Sequence, residues 1–212
     1  MRLGIVSDIH DNIQALDQAL DEMGAIDELI CAGDACYQFR FSNLVAHRLR
    51  ECGARYVLGN HEDILLSPAG IRAQQSEKVD QDLLEWTRAQ PRHLRTTVDG
   101  KRLLIFHSTP WEPYQDYLYP NSPELQRLAD QDADILIYGH THHQLETRVN
   151  GALIINPGST GEPRDPGNDF QVSYAVLDTQ TEAVTFGNFP DPTRPPAAGQ
   201  SSARAAPRVH PE

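Results

Sequence analysis

An α/β fold is predicted, and three observations predict it. Short apolar runs alternate with amphipathic stretches at helical spacing in the first part of the chain. The runs at 3–7, 28–32 and 55–58 are strand-length and rich in Ile, Leu and Val, and polar residues of the kind that bind metals follow each one. A strand–helix–strand–helix order implies parallel strands joined by helical crossovers. Open sheets of that kind carry their sites beyond the carboxyl ends of the strands.

The run at 3–7 breaks at Asp8-Ile9-His10-Asp11-Asn12. Asp11 or Asn12 is placed to cap a helix whose positions Ile13, Leu16, Leu20 and Met23 share one face. The second strand, 28–32, ends in Gly33-Asp34, and a helix over 42–52 carries Leu44, Val45 and Leu49. The third strand, 55–58, ends in Gly59-Asn60-His61-Glu62. From 65 to 91 the pattern is helical and polar, with Leu83, Leu84 and Trp86 as buried positions. A hairpin follows, 96–98 and 101–106 around Asp99-Gly100, a pair suited to a two-residue turn, and its second arm runs into His107.

Residues 108–123 are rich in Pro, Tyr and Trp without periodicity, which predicts a loop over the site and then a helix near 124–131. Trp111, Tyr114, Tyr117 and Tyr119 are candidates for stacking on a substrate ring, although loop packing is the simpler role for any one of them. The run at 133–138 is a buried strand followed by Gly139-His140-Thr141-His142. In an extended chain positions i and i+2 face the same side, so His140 and His142 are expected to project together. Two more hairpins close the pattern, 144–149 with 152–155 around Asn150-Gly151, and 173–177 with 183–186. A single domain over 1–189 is expected, followed by a disordered tail at 190–212, where Pro, Ala, Ser, Gly and Arg dominate.

Composition excludes several classes. A net charge of −12 opposes stable binding to a nucleic-acid backbone. No apolar run is long enough to span a membrane, and the sequence opens on a strand rather than a leader pattern. Cys31, Cys36 and Cys52 lack metal-type spacing. Free thiols and a cytoplasmic location are therefore expected. The oligomeric state is not set by the sequence, and a homo-oligomer stays open.

Asp8, His10, Asp34, Asn60, His107, His140 and His142 all follow strands, giving seven oxygen or nitrogen ligands. Two metal ions sharing one carboxylate need about that many, and Asp34, alone after its strand, is the candidate bridge. With no Cys among the ligands, two divalent ions are expected, Mn2+ first, with Fe, Ni2+ or Zn2+ as alternatives. Such a pair clamps the attacking and leaving oxygens of a phosphoryl displacement.

In content and order the chain resembles the calcineurin-like metallophosphoesterases. The carrying motifs are Asp8-x-His10, Gly33-Asp34, Gly59-Asn60-His61-Glu62, the lone His107 and Gly139-His140-x-His142. Asn156-Pro157-Gly158-Ser159, then Pro163-Arg164-Asp165, is similar to the small single-domain bacterial and archaeal phosphodiesterase branch. The resemblance implies a four-layer αββα sandwich of two mixed sheets flanked by helices. It places Asp8, His10 and His142 on a first metal, Asn60, His107 and His140 on a second, and Asp34 between them. Gly33-Asp34 departs from the family in running into Ala35-Cys36-Tyr37-Gln38-Phe39-Arg40, without the glycine that often follows.

The expected function is hydrolysis of a small phosphodiester by a metal-bridging hydroxide. His61 would protonate the leaving oxygen, oriented by Glu62, with Asp34 bridging the ions. The alternatives are a phosphomonoesterase or protein phosphatase, a dinucleoside polyphosphate hydrolase, and a non-catalytic protein-binding scaffold. Arg40 and Arg164 are candidate phosphate contacts, against the simpler reading of solvated or ion-paired arginines.

Overall fold

The computed structural model describes residues 1–194. One sheet is built from β1 (Arg2–Val6), β2 (Glu28–Cys31), β3 (Arg55–Tyr56), β9 (Val172–Asp178) and β10 (Ala183–Phe189). The other holds β4 (His93–Val98), β5 (Lys101–Phe106), β6 (Ile135–Ile137), β7 (Gln144–Val149) and β8 (Ala152–Pro157). Their orders are β10-β9-β1-β2-β3 and β4-β5-β6-β8-β7. β1, β2 and β3 run parallel, as do β5, β6 and β8, while antiparallel partners complete each sheet.

The period-two alternation of the strands builds the layers. Leu3, Ile5, Ile30 and Val57 of the first sheet meet Leu103, Ile105, Ile135, Ile137, Leu153 and Ile155 of the second. On the far face of the first sheet Val6, Leu29 and Cys31 pack against α1 (Ile13–Met23) and α2 (Asn43–Glu51) through Leu16, Ala19, Val45 and Leu49. Asn12 and Ser42 cap these helices, accepting from the backbone of Ala15 and Val45. Strands covered on both faces need apolar residues on both, which is why these runs do not alternate cleanly in sequence.

Three boundaries differ from expectation. The predicted helix near 124–131 is a 3₁₀ helix, Pro123–Gln131, so the outer layer of the second sheet is not α-helical. Leu125 and Leu128, with Leu118, cover Leu104, Phe106, Leu136, Tyr138 and Ile154, and an i, i+3 pair on one line suits the 3₁₀ period. The third strand is short because Leu58 turns its N–H to the carbonyl of Pro91. Gly59 then caps α3 (Asn60–Leu66), so the expected strand-end turn is the first turn of a helix that begins before residue 65. A short 3₁₀ turn, α4 (Ile71–Gln74) and α5 (Gln81–Arg88) follow, enclosing a small cluster of Cys36, Leu65 and Leu84.

All three cysteines are free, with Cys31 and Cys36 buried. Among the described residues no helix is long and apolar enough to cross a membrane. Of the predicted tail, 195–212 lie outside the described residues. Its beginning is tied to the body: Asp191 is buried and accepts from Asn12 Nδ2 at 3.0 Å and from the Thr193 backbone at 2.9 Å. Asp191→Ala is therefore expected to cost about 1–2 kcal/mol, read as a lower denaturant midpoint at unchanged slope.

Candidate metal centre

The loops after β1, β2, β5 and β6 and the start of α3 meet at one edge of the sandwich. Backbone hydrogen bonds lace them together: Asp8 N–H to Gly33 O (3.0 Å), His10 N–H to Asp34 O (3.1 Å), Gly139 N–H to His107 O (2.9 Å) and Gly161 N–H to Asp8 O (3.1 Å). Two glycines permit the approach. A Cβ on Gly59 would strike the backbone and carboxylate of Asp34, and one on Gly139 would strike Ser7 Oγ and the Asp8 carboxylate.

Asp8, His10, Asp34, His107, His140 and His142 are all buried. Five of them hold left-handed backbone, with φ of 52° at Asp8, 47° at His10, 53° at Asp34, 69° at His140 and 59° at His142. This corrects the extended-strand reading of His140 and His142. His140 and His142 do not project to the same place: His142 joins Asp8 and His10, whereas His140 joins Asp34 and His107. Left-handed backbone costs about 1–2 kcal/mol per residue, and such strain concentrates at functional sites where the surroundings enforce it.

In the first group His142 Nε2 lies 3.2 Å from Asp8 Oδ1 and 3.2 Å from His10 Nε2. In the second, His107 Nε2 lies 3.2 Å from Asp34 Oδ2, 3.2 Å from His140 Nδ1 and 3.1 Å from Asn60 Oδ1. Asp34 also falls in a group with His10 and His61, so it stands between the two sets. The outer nitrogens face backbone carbonyls: His107 Nδ1 with Ala32 O (2.8 Å), His142 Nδ1 with Glu162 O (2.6 Å) and His140 Nε2 with Gln115 O (3.3 Å). A carbonyl only accepts, so each outer nitrogen carries the proton and each inner one a lone pair.

With the imidazoles neutral, the inward atoms are acceptors facing acceptors, and Asp8 Oδ1 is buried without a hydrogen bond. That arrangement calls for positive charge. Burial favours neutral His107, yet Asp34 and Asp8 outweigh it and push its pKa up to about 10, so a proton on its inner nitrogen meets part of that demand and would have to leave before a metal ion binds there. Burial would raise Asp8, but His142, His107 and His10 hold it well below the usual carboxylate range. Burial also pulls His10 and His140 down to about 4, so they remain neutral donors. The donor set fits divalent cations of the oxygen- and nitrogen-binding kind.

His61 reaches the same space, with Nε2 3.9 Å from Asp34 Oδ2 and its ring 4.7 Å from that of His10. Glu62 does not orient it. The Glu62 carboxylate is fully buried and accepts from the N–H groups of Asp34 (2.9 Å), Gly59 (2.7 Å) and Cys36 (2.9 Å) and from Cys36 Sγ (3.1 Å). Neighbours on a helix point in different directions, so Glu62 turns inward as a tie between loops. Burial, with the charge of Asp34, pushes its pKa up to about 7.

Two contributors gave no sequence signal. Glu162 places Oε2 3.5 Å from His10 Nε2, and Tyr37 stacks on His10 with centroids 4.8 Å apart. Both come from stretches without periodicity. Arg40 pairs with Asp11 (2.5 Å) and Arg164 with Glu162 (2.9 Å), both at the rim. Of the four loop aromatics, Trp111 lies under Arg127 at 4.0 Å and Tyr114 sets its edge on His93, while Tyr117 and Tyr119 stack beside His140.

Residues 1–182 match the family model described as the calcineurin-like phosphoesterase superfamily domain. Phosphodiesterase YfcE of Escherichia coli (strain K12) is 27% identical over 195 residues, covering 87% of this chain and 91% of its own. An uncharacterized protein of Methanocaldococcus jannaschii is 25% identical over 204 residues, covering 83% and 82%. Among solved structures, a metallophosphoesterase from Sphaerobacter thermophilus superposes with a TM-score of 0.71 at 25% identity, over 89% of this chain and 88% of its own.

Proposed function

This chain belongs to the calcineurin-like phosphoesterase superfamily, and we propose that within it the protein is a dinuclear metal-dependent phosphodiesterase acting on small esters. The observation that carries the reading is the pair of inward-facing donor groups with Asp34 standing between them. Asp8, His10 and His142 would hold one ion, Asn60, His107 and His140 the other, and Asp34 would serve both. Bound there, two divalent ions, Mn2+ first among the candidates, would supply Lewis-acid charge and lower the pKa of water.

The chain's own residues do the rest. The carbonyls of Ala32, Glu162 and Gln115 hold three imidazoles in the tautomer that turns a lone pair inward. Glu62 fixes the Asp34 and Gly59 backbones against each other. His61, at the edge of the centre and 21% exposed in its side chain, is placed to give a proton to the departing oxygen. A diester is favoured because both rim arginines already carry a carboxylate partner, and because the E. coli relative bears the name phosphodiesterase. Free Cys31, Cys36 and Cys52 support a reducing, cytoplasmic setting.

The test is a panel of phosphate mono- and diesters, including cyclic nucleotides and dinucleoside polyphosphates, against metal-stripped protein with each divalent ion restored in turn. Diesters turned over faster than monoesters support the reading, and the reverse order replaces it with a phosphomonoesterase. His61→Ala is expected to slow alkyl diesters about 10²–10⁴-fold and aryl diesters far less, since a phenolate leaves without a proton. Equal losses on both classes would make His61 a positioning residue.

A further inference from the structure

Two tyrosines carry the second donor group outward to the surface. Tyr117 lies on the His140 imidazole, with centroids 4.0 Å apart and planes 26° from parallel. Tyr119 continues the series, 5.8 Å from Tyr117 and 11° from parallel, with its edge set against His143 at 5.1 Å. Three stacked rings, His140, Tyr117 and Tyr119, therefore connect the buried centre with the surface.

Anchoring the loop does not require these rings. Leu118, between them, is 1% exposed and its carbonyl accepts from Tyr138 Oη at 2.6 Å, whereas Tyr117 and Tyr119 remain 51% and 39% exposed. A half-exposed tyrosine is ordinary by itself, and what sets these two apart is that they lie as a stacked pair on a histidine of the metal centre. Stacked, partly exposed aromatic rings beside a phosphate-handling centre are the arrangement that receives a planar ring. The two rim arginines do not suit a long polyphosphate, because Arg40 and Arg164 are engaged by Asp11 and Glu162.

We propose that Tyr117 and Tyr119 form a stacking shelf for the nucleobase of a nucleotide ester whose phosphate sits at the metal centre. The proposal rests on the phosphoesterase reading for the placement of the phosphate. Stacking on the shelf selects base-bearing esters over alkyl or sugar esters with the same phosphate.

Adenosine 5′-monophosphate and ribose 5-phosphate differ only in the base, and they isolate the effect. As competitive inhibitors of bis(p-nitrophenyl) phosphate hydrolysis by the Mn2+-loaded protein, the nucleotide is expected to bind about 10- to 100-fold more tightly. Tyr119→Ala, a surface change away from the proposed ligands, should collapse that ratio towards one, and Tyr119→Phe should retain it. Equal inhibition constants in the wild type, or a ratio that survives Tyr119→Ala, overturns the shelf. Calorimetric titration with the same two compounds reads the ratio without turnover. A base preference in calorimetry with no hydrolysis of any ester would leave the shelf standing and remove the phosphoesterase reading instead.

Discussion

Removing the divalent ions is expected to abolish hydrolysis and to lower the melting temperature by about 8–16 °C for each ion lost. At a free ion concentration a thousand times its Kd, a bound ion stabilises the folded state by about 4.1 kcal/mol, and a domain of this size shifts by about 2–4 °C per kcal/mol. The physical source is the set of acceptor atoms around Asp8 Oδ1, which lose the charge that holds them together. Asp34→Asn is expected to reduce kcat/KM by about 10³-fold or more, because the carboxylate standing between the two groups loses its charge while keeping its shape. Scanning calorimetry before and after chelation, with activity recovered on adding back Mn2+, checks both. An unchanged melting temperature and full activity after thorough chelation would falsify the two-metal assignment.

Glu62→Ala is expected to destabilise the fold by about 3–5 kcal/mol, among the largest effects available outside the ligands. The substitution strips a partner from three backbone N–H groups at once, those of Asp34, Gly59 and Cys36. Each buried donor left unmade costs about 1–3 kcal/mol. Because Asp34 and Gly59 flank the centre, affinity for the metal should fall together with stability. A denaturant titration measures the first and a competitive chelator the second. A variant as stable as the wild type would mean that water replaces the carboxylate without penalty.

What was legible in the sequence followed from local chemistry. Apolar runs gave β1, β2, β5 and β6, and polar residues at their ends gave the members of the centre, because a strand delivers its next residue to the sheet edge. The turns were legible where Asp99-Gly100 and Asn150-Gly151 demand positive φ. The 3₁₀ form of Pro123–Gln131 was not, since Leu125 and Leu128 fit either helix. The role of Glu62 was misread because adjacency in sequence suggested contact with His61, whereas a helix separates neighbours by about 100°. Glu162 and Tyr37 escaped because what brings them to His10 is the closing of distant loops. No local pattern records that.

The left-handed backbone of five centre residues decides how the site can be dissected by mutagenesis. Alanine at Asp8, His10, Asp34, His140 or His142 would remove a donor atom and also place a side chain ill-suited to that conformation, so the measured loss would mix chemistry with relaxation of the loop. Asparagine tolerates the same dihedral angles and removes only the charge or the imidazole. Paired Ala and Asn variants at one position therefore separate the two quantities. The difference in their stabilities reads out how firmly the loops hold the centre before any ligand arrives.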